Sequence, residues 1–450
     1  VGKMIKIQEI RINRIQAIAI SAIFIILLSQ IFSAKPEIKK YSENISPTIC
    51  PSEPTGVNSV VYLAAKKRGV ATVKKGERKF KTLKTTSISM GSYAKEVEGL
   101  GASPLVVNVK PQSWIALAQC TPAISEKWVL GGISTISSIG YFQFVNPNRS
   151  KAVIDLEIWS EDGKESNQSL VISAQSTRIV QLNSLITNKK FLAFHLIARA
   201  GRFSAVLFDE RKKGLKSLGA DFVSPVTIAR KVVTIPAITG LSGKLASSSN
   251  SVSHTLRLLV PATIDANVDV TINSNDGNFI PVGLSQLDVK SQKVLDIPLT
   301  FAKIDQPFSV IVNSDQPIFA SVLSSFTYGK SPEIAWATGA DELKKWSVNL
   351  TGSRPTLNFV GDRINVQISA TGTNGKKIVK KLSASNFVTW RAPVGLNRLE
   401  VTASRDGISG GVIFLPEVGG IGSSYIPMNN GANLETAAEP ISDAGVISRG

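Results

Sequence analysis

Cysteine and histidine are both scarce in this chain of 450 residues, which has two of each. Two cysteines, Cys50 and Cys120, are too few for a structural zinc site of four thiolates. The histidines, His195 and His254, lie far apart in strand-like runs and suit packing better than catalysis. The sequence also lacks the usual phosphate-loop, dinucleotide, hydrolase and zinc-protease motifs. We therefore predict no metal, no cofactor and no catalytic residue.

Charged residues are few as well, at 19% of the chain against 43% hydrophobic residues. The frequent Val, Ile, Ser and Thr favour the half-buried surface of a pleated sheet over helices. At one domain per roughly 100 to 200 residues, the length indicates about three domains. The composition thus predicts a folded, all-β body.

The two cysteines fall in one region of the chain. A disulfide between Cys50 and Cys120 would close a loop of roughly 70 residues and would indicate an oxidising compartment. The alternative is a pair of unrelated buried thiols.

One long uncharged run stands near the start of the chain, over residues 15–32. As a helix, this run spans about 27 Å, which is just enough to cross the hydrocarbon core of a bilayer. Four basic residues precede it. The positive-inside rule therefore keeps residues 1–14 in the cytoplasm and places the rest of the chain outside.

A cleaved signal peptide is the alternative to an anchor, because its basic start and apolar centre have the same appearance. Cleavage after Ala34 would put the bulky Phe32 where a small residue is required, and the apolar run is longer than usual. The sequence therefore predicts a single-pass cell-membrane protein, with secretion after cleavage as the alternative localisation.

Positive charge is concentrated near the predicted membrane. Residues 1–130 hold 19 Lys or Arg and 8 acidic residues, which gives +11 of the total net charge of +18. Residues 66–95 hold ten of these basic residues and one acid, Glu77. Such a cluster favours anionic lipid headgroups or acidic wall polymers as partners, with a solvated loop as the alternative. No nucleic-acid-binding module accompanies it, so we expect no nucleic acid partner.

A pattern of alternating apolar and polar residues occurs three times and ends each time in Asp-Gly or Asn-Gly. The copies are residues 152–163, 266–277 and 364–375. Alternation predicts strands with one buried face, and each glycine would supply the positive φ of a type I′ hairpin turn. Successive copies lie 114 and 98 residues apart, which is the length of a sandwich domain.

The surrounding segments repeat in the same order. An alternating strand precedes each copy, and an apparent β-hairpin follows it, from Phe194, Phe308 and Leu399. This order predicts tandem Ig-like antiparallel β-sandwich domains after one N-terminal transmembrane helix. The predicted segments are a cytoplasmic stub (1–14), a transmembrane helix (15–32), a basic disulfide-linked β element (33–130), three β-sandwiches (131–230, 231–342 and 343–430) and a disordered tail (431–450).

Tryptophans and paired carboxylates are the candidate ligand-binding residues. Core packing is the commoner use of tryptophan, but Trp159 is out of phase with the buried face of its predicted strand. It is therefore our candidate ligand-facing aromatic. The carboxylate pair Glu161–Asp162 precedes a turn glycine, and the pair Asp209–Glu210 precedes a basic run. We therefore predict that both pairs are solvated turn residues and not the catalytic pair of a glycosidase.

Several short motifs stand in a fixed order along the chain. They are Cys50-Pro51, Cys120 followed by Trp128-x-x-Gly131-Gly132, a strand that ends in Val145-Asn146-Pro147, then Ala152-Val153 and a turn at Gly163. In these motifs the chain resembles the actinobacterial DUF5719 family. The resemblance implies a secreted or membrane-anchored envelope protein with repeated β-domains and no established activity, and it supplies no catalytic residue.

These observations predict a non-enzymatic, membrane-anchored extracytoplasmic envelope protein, which serves as a structural or binding scaffold. The alternative is an accessory module that binds cell-wall or capsular polysaccharide through exposed tryptophans.

Overall fold

The computed structural model describes residues 48–63, 68–98, 103–111, 113–240, 250–300, 306–350, 354–414 and 422–429. The predicted stub, transmembrane helix and tail lie outside these residues. Within them, no helix is long and apolar enough to span a bilayer. The described residues form 34 strands and one four-residue helix, which confirms the all-β prediction.

Sandwich 1 comprises the first nine strands, which form two antiparallel sheets around one hydrophobic cluster. The sheet orders are β4-β3-β6-β1-β9 and β5-β2-β7-β8. The strands are β1 (Thr48–Cys50), β2 (Asn58–Tyr62), β3 (Arg68–Thr72), β4 (Lys81–Leu83), β5 (Ser87–Ser89), β6 (Lys95–Glu98), β7 (Leu105–Lys110), β8 (Trp114–Gln119) and β9 (Thr121–Pro122).

Sandwich 2 has the sheet orders β10-β16-β12-β13, with β14 also paired to β12, and β15-β11-β17-β18. Both sheets contribute to a second hydrophobic cluster. Its elements are β10 (Glu126–Leu130), β11 (Tyr141–Asn146), β12 (Ala152–Ser160), β13 (Gly163–Lys164), β14 (Gln168–Ile172), β15 (Ser176–Gln181), α1 (Leu182–Leu185), β16 (Ala193–Ala200), β17 (Ser204–Lys213) and β18 (Lys216–Val223).

Sandwich 3 differs in that one strand of 21 residues runs through both of its sheets. The first part of this strand pairs with β19 and β21, and the second part pairs with β20 and β26. The strands are β19 (Arg230–Ile238), β20 (Asn250–Leu259), β21 (Ala266–Ser274), β22 (Gly277–Phe279), β23 (Leu287–Val289), β24 (Val294–Pro298), β25 (Phe308–Tyr328) and β26 (Ser331–Thr338).

Sandwich 4 has the sheet orders β27-β32-β29-β30 and β31-β28-β33-β34. A fourth hydrophobic cluster lies between them. The strands are β27 (Lys345–Asn349), β28 (Thr356–Val360), β29 (Ile364–Gly372), β30 (Lys377–Ala384), β31 (Phe387–Arg391), β32 (Leu396–Ala403), β33 (Ser409–Phe414) and β34 (Ser424–Pro427).

All four sandwiches share one strand order. In the first sheet, the first strand pairs with the sixth, the sixth with the third and the third with the fourth. In the second sheet, the fifth pairs with the second, the second with the seventh and the seventh with the eighth. In sandwich 2, β13 and β14 together take the place of the fourth strand, as β22 and β23 do in sandwich 3. In sandwich 3, β25 takes the places of both the sixth and the seventh strand. Sandwich 1 is thus a further copy of the unit that the sequence shows three times, while the predicted domain boundaries stay predictions.

The three repeated sequence patterns occupy the same place in sandwiches 2, 3 and 4. Each forms a nine-residue third strand, namely β12, β21 and β29. Ile154, Leu156 and Ile158 are buried on one face of β12, which confirms the predicted alternation. The repeated pattern therefore identified the central strand of the first sheet in three of the four copies.

The glycines after these strands have the predicted positive φ, but the turn type is different. Gly163 has a φ of 133° and Gly277 a φ of 121°. A type I′ turn requires a positive φ at both of its central residues. Neither of the two residues that precede each of these glycines has a positive φ. Ser160 pairs directly with Gly163, so the glycine follows the two-residue turn instead of lying within it. The backbone N–H of Asp162 donates to Ser160 Oγ at 3.1 Å, and this local bond favours the observed turn.

The apparent hairpins after each repeat are not hairpins, so that prediction is wrong. Strand β16 pairs with β10 and β12, whereas the next strand, β17, pairs with β11 and β18 in the opposite sheet. Strands β32 and β33 are divided in the same way. In sandwiches 2 and 4 these two strands carry the chain from one sheet to the other. In sandwich 3 the corresponding segment is the single continuous strand β25, which takes part in both sheets.

A disulfide between Cys50 and Cys120 fastens sandwich 1, as predicted. Cys50 ends β1 in the first sheet, and Cys120 directly follows β8 of the second sheet. Both residues are fully buried in the core of the sandwich. Because β1 pairs with β9 in a register that sets Ile49 opposite Thr121, the bond continues this pairing and fastens the first strand of sandwich 1 to its last segment across a sequence separation of 70 residues.

Candidate functional site

The last strand of the second sheet in each sandwich lies against the corresponding strand of another sandwich. We call β8, β18, β26 and β34 the junction strands. Strand β8 contacts β18, β18 contacts β26, β26 contacts β34, and β34 contacts β8 again. The four sandwiches are thus joined in a closed circuit of contacts.

The hydrophobic cores follow the same circuit. Phe222 of β18 belongs to the core cluster of sandwich 1, and Trp336 of β26 belongs to that of sandwich 2. Tyr425 of β34 completes the core of sandwich 3, and Leu117 of β8 completes that of sandwich 4. Each core is therefore finished by side chains of the next sandwich, and the last core is finished by the first sandwich.

Buried carboxylates bridge the junction strands. Asp221 of β18 accepts hydrogen bonds from the backbone N–H of Trp336 at 2.8 Å and from Ser424 Oγ at 2.7 Å. Ser424 Oγ in turn accepts the backbone N–H of Leu117 at 3.1 Å. One carboxylate and one hydroxyl therefore connect all four junction strands and satisfy backbone donors that a sheet edge leaves unpaired.

Glu333 of β26 makes a second bridge. Its Oε1 accepts the backbone N–H of Ala220 on β18 at 3.1 Å, as well as its neighbour Ile334 N–H at 2.8 Å. Burial raises the pKa of both Glu333 and Asp221 well above the usual range, and the hydrogen bonds from backbone donors oppose that rise. The strongly perturbed carboxyl groups of this region therefore act in the contacts between sandwiches.

The carboxylate pair Asp209–Glu210 belongs to this region, so the prediction of solvated turn residues is wrong for it. Both residues lie on β17 and are buried. Asp209 Oδ2 accepts the indole N–H of Trp336 at 3.0 Å. Asp221 and Glu333 share a sequence signal that could reveal such residues, namely a lone acid within an apolar strand-like run, whereas Asp209 is followed by Glu210 and three basic residues.

The other pair, Glu161–Asp162, forms the predicted turn between β12 and β13. Glu161 accepts the backbone N–H of Lys190 and of Phe191, both at 3.0 Å. Asp162 forms an ion pair with Lys189 at 2.7 Å. These carboxylates fasten one loop to another within sandwich 2.

Trp159 is buried, with 2% of its surface exposed, so the prediction that it faces solvent is wrong. Its ring lies 5.1 Å from that of Trp128, which stacks on Phe319 of sandwich 3 at 4.5 Å. Along β12, Trp159 does lie on the face opposite to that of Ile154, Leu156 and Ile158. A neighbouring sandwich covers the outer face there, and sequence alternation alone cannot show this.

Both histidines make contacts within sheets, as their strand positions predict. His195 stacks on Trp128 at 3.9 Å, and its ring nitrogens contact Glu157 at 2.9 Å and Glu126 at 2.7 Å. His254 is buried and its Nδ1 lies 2.8 Å from Ser324 Oγ. Within the described ranges, no group of three or more His, Cys, Asp or Glu residues has the geometry of a metal site.

A family model described as "Family of unknown function (DUF5719)" matches residues 114–383, which is more than half of the chain. The chain belongs to DUF5719. No curated protein matches it. The DUF5719 match begins at the first residue of β8 and ends within β30, so it covers sandwiches 2 and 3 completely, together with a junction strand of sandwich 1. The family that the short motifs indicated is therefore confirmed.

The DUF5719 protein has an open groove of about 750 Å³ between sandwiches 3 and 4. Its floor is the outer face of the first sheet of sandwich 3, and its far wall is made by turns of sandwich 4. The side chains that line it are mostly amides, carboxylates and guanidinium groups, namely Asn273, Asn278, Asn313, Asn386, Asp362, Asp406, Arg363 and Arg405. Asn273 Oδ1 is buried without a hydrogen-bond partner among the described residues.

The described part of the basic stretch, residues 68–95, includes β4, an edge strand of sandwich 1. Two of its charges are paired: Lys74 contacts Glu77 at 2.5 Å, and Arg78 contacts Glu96 at 2.5 Å. Four of its lysines are exposed and surround the edge strand β4, namely Lys75, Lys79, Lys81 and Lys84. Charged lysines on an edge strand prevent pairing with other chains, and they leave a cationic surface available to anionic partners.

Proposed function

We propose that this DUF5719 protein is a non-enzymatic, extracytoplasmic scaffold of the cell envelope, built from Ig-like sandwiches and anchored through residues 15–32. The observation that carries the proposal is the closed circuit of junction strands. Asp221 and Glu333, whose pKa values are strongly raised, are engaged in joining sandwiches. Groups with shifted pKa values are often catalytic, but here their hydrogen bonds maintain a fixed arrangement of four units.

The disulfide supports an extracytoplasmic position for this scaffold. Disulfides persist in oxidising compartments and are rare where thiols are kept reduced. The fully buried Cys50–Cys120 bond fastens the first strand of sandwich 1 to the segment between its last two strands. The basic n-terminal flank and the apolar run of residues 15–32 support export of the body through a retained signal-anchor.

A reporter fusion tests export and anchoring together. Alkaline phosphatase, which is active only outside the cytoplasm, is fused after Gly450, and the membrane and medium fractions are assayed. We expect phosphatase activity in the membrane fraction and an intact N-terminus by mass spectrometry. An inactive fusion contradicts export, and an N-terminus close to Lys35 with activity in the medium contradicts the anchor.

A polysaccharide ligand is the second candidate function, and the groove favours it. Sugar hydroxyls both donate and accept hydrogen bonds, and planar amide, carboxylate and guanidinium side chains can meet both demands. Four asparagines and two Asp–Arg neighbours line the groove, and Asn273 Oδ1 has no partner of its own among the described residues. The groove therefore replaces the exposed tryptophans as the place where a glycan would bind.

A glycan array with the exported body tests this candidate. We expect binding of an envelope polysaccharide, and a loss of about tenfold or more on the double substitution Asn278→Ala and Asn386→Ala, because each lost hydrogen bond weakens binding by about 1 kcal/mol. The matched control is Asn267→Ala, an exposed asparagine of β21 outside the groove. Equal loss in the control, or no glycan bound by the wild type, contradicts the candidate.

A further inference from the structure

A second cavity, of about 240 Å³, lies beside the C-terminal ends of the junction strands. Its walls are mainly apolar and include Leu117 of β8, Phe222 and Val223 of β18, and Pro427 of β34. Strand β9, Lys127 of β10, Val206 of β17 and residues of the segments that follow the junction strands complete the lining. This pocket is therefore built by residues of sandwiches 1, 2 and 4, and it shares no lining residue with the polar groove between sandwiches 3 and 4.

Lys127 is an unpaired cation in the lining of this pocket. Its side chain is buried, with 2% of the residue exposed, and its Nζ donates to Thr121 Oγ1 at 3.4 Å. Within the ranges that the structure describes, no carboxylate forms an ion pair with it. Burial alone lowers the pKa of Lys127 to about 8. A buried ammonium without a counter-ion is costly unless an anion compensates it.

A second polar group in the same lining also lacks an acceptor. Gln119 lines the pocket, and its Nε2 is buried without a hydrogen-bond partner among the described residues. The acidic residue of the lining, Asp341, is already paired with Arg230 at 2.8 Å. The pocket is thus lined by two hydrogen-bond donors, an ammonium group and an amide N–H group. Among the described residues, no single acceptor binds both of them.

We propose that this pocket binds a small amphiphilic carboxylate, with the acid group at Lys127 and Gln119 and the short apolar chain against Leu117, Phe222 and Pro427. A carboxylate has two acceptor oxygens, so one group can satisfy both donors. The apolar walls remove the chain from water, which favours a ligand with one charged end over a sugar or a free inorganic anion.

The pocket volume sets the size of the ligand. About 240 Å³ is roughly eight times the volume that one water molecule occupies in the liquid, about 30 Å³. A carboxylic acid of about six carbon atoms has eight non-hydrogen atoms and matches this space. Hexanoate is therefore the probe for the test, and the neutral alcohol 1-hexanol is its counterpart with the same chain.

Isothermal titration of the full chain with hexanoate and with 1-hexanol tests the proposal. We expect hexanoate to bind, and the substitution Lys127→Met to weaken it about tenfold or more while leaving 1-hexanol binding within about twofold, since methionine keeps the apolar stem and loses the charge. A wild-type circular dichroism spectrum and an unfolding midpoint no lower than that of the wild type would show that the variant is folded.

Lys95→Met is the matched control. Lys95 is half-buried, its Nζ donates to Thr72 Oγ1 at 3.0 Å, and burial lowers its pKa as well, but it is not among the residues that line the pocket. We expect wild-type affinity for hexanoate in this variant. The proposal is overturned if hexanoate does not bind the wild type at about 10 mM, or if Lys127→Met and Lys95→Met change its affinity equally.

Discussion

At the scale of single residues, this protein places polar groups in its interior where hydrogen bonds between sandwiches need them. Asp221 and Glu333 each accept backbone donors from a neighbouring junction strand. Arg257 is buried, pairs with Asp296 at 2.7 Å and also donates to the carbonyl oxygen of Gly132 in sandwich 2. A buried ion is tolerated where its hydrogen bonds are satisfied, and here the partners come from a second sandwich.

His254 should make the stability of the protein depend on pH. Burial lowers its pKa to about 4 from an unfolded value of 6.5, so the native state favours the neutral ring. Its stabilising contribution is full above about pH 6.5 and is lost as the pH falls towards 4, by up to about 3 kcal/mol. Urea unfolding of the wild type and of His254→Gln at pH 7 and pH 4.5 measures this difference.

The control for this experiment is His195→Gln, because His195 lies near the sheet surface between Glu126 and Glu157. We expect the wild type and His195→Gln to lose similar stability on acidification, and His254→Gln to lose clearly less. Identical losses in all three proteins would contradict the assignment to His254.

At the scale of elements, the junction strands bear the contacts that hold the sandwiches together. Removing the Asp221 carboxylate leaves the Trp336 N–H and the Ser424 hydroxyl without their acceptor in a buried region. Each buried donor without a partner lowers the free energy of unfolding by about 1 to 3 kcal/mol. We therefore expect Asp221→Ala to lower the free energy of unfolding by about 3 to 5 kcal/mol, as measured by urea denaturation.

Asp155→Ala is the appropriate comparison, since Asp155 lies on β12 in a surface ion pair with Arg199. Surface pairs contribute about 0 to 1 kcal/mol. A loss in Asp221→Ala no larger than that of Asp155→Ala would show that the junction does not depend on this carboxylate.

The third strand of sandwiches 2, 3 and 4 could be predicted from the sequence, because it is nine residues long, alternates apolar and polar residues and is followed three residues later by a turn glycine. Its counterpart in sandwich 1, β3, has only five residues, and its turn glycine, Gly76, follows a lysine instead of Asp or Asn, so the repeated pattern does not identify that copy. Segments such as β16 and β17 follow each other closely in sequence, and nothing in their residues separates a hairpin from a crossing between sheets.

The candidate sites were harder to predict than the strands. Asp221 and Glu333 are 112 positions apart, and their partners become neighbours only when four sandwiches assemble. Trp159 shows the same limit, since its strand predicts an outward side chain and another sandwich then covers it. Contacts of this kind depend on the arrangement of whole sandwiches, which local periodicity does not encode.

At the scale of the whole molecule, the exposed lysines belong to sandwich 1, which is the sandwich nearest in sequence to the predicted anchor. Each Lys or Arg of a polybasic surface near an anionic membrane contributes about 1 kcal/mol to the free energy of membrane binding. We therefore expect the fourfold substitution of lysine by glutamine to reduce binding of the protein to vesicles that contain anionic lipid by about tenfold or more in a sedimentation assay at low salt. The substituted residues are Lys75, Lys79, Lys81 and Lys84.

Sandwich 4 offers a matched set for this measurement, because β30 and the turn before it carry four exposed lysines as well. These are Lys376, Lys377, Lys380 and Lys381. Their substitution by glutamine changes the net charge by the same amount. If both sets reduce vesicle binding equally, total charge governs the association and the surface of sandwich 1 has no particular role.

The cyclic completion of the cores has a consequence for how this family can vary. In an open array of repeats, a copy can be added or lost at either end, because each unit contacts only its neighbours and a cap closes the end. Here Leu117 of the first sandwich fills the core of the last, and Tyr425 of the last fills the core of the third. Gain or loss of one unit would leave a core open, so the copy number is fixed at four by the geometry of closure.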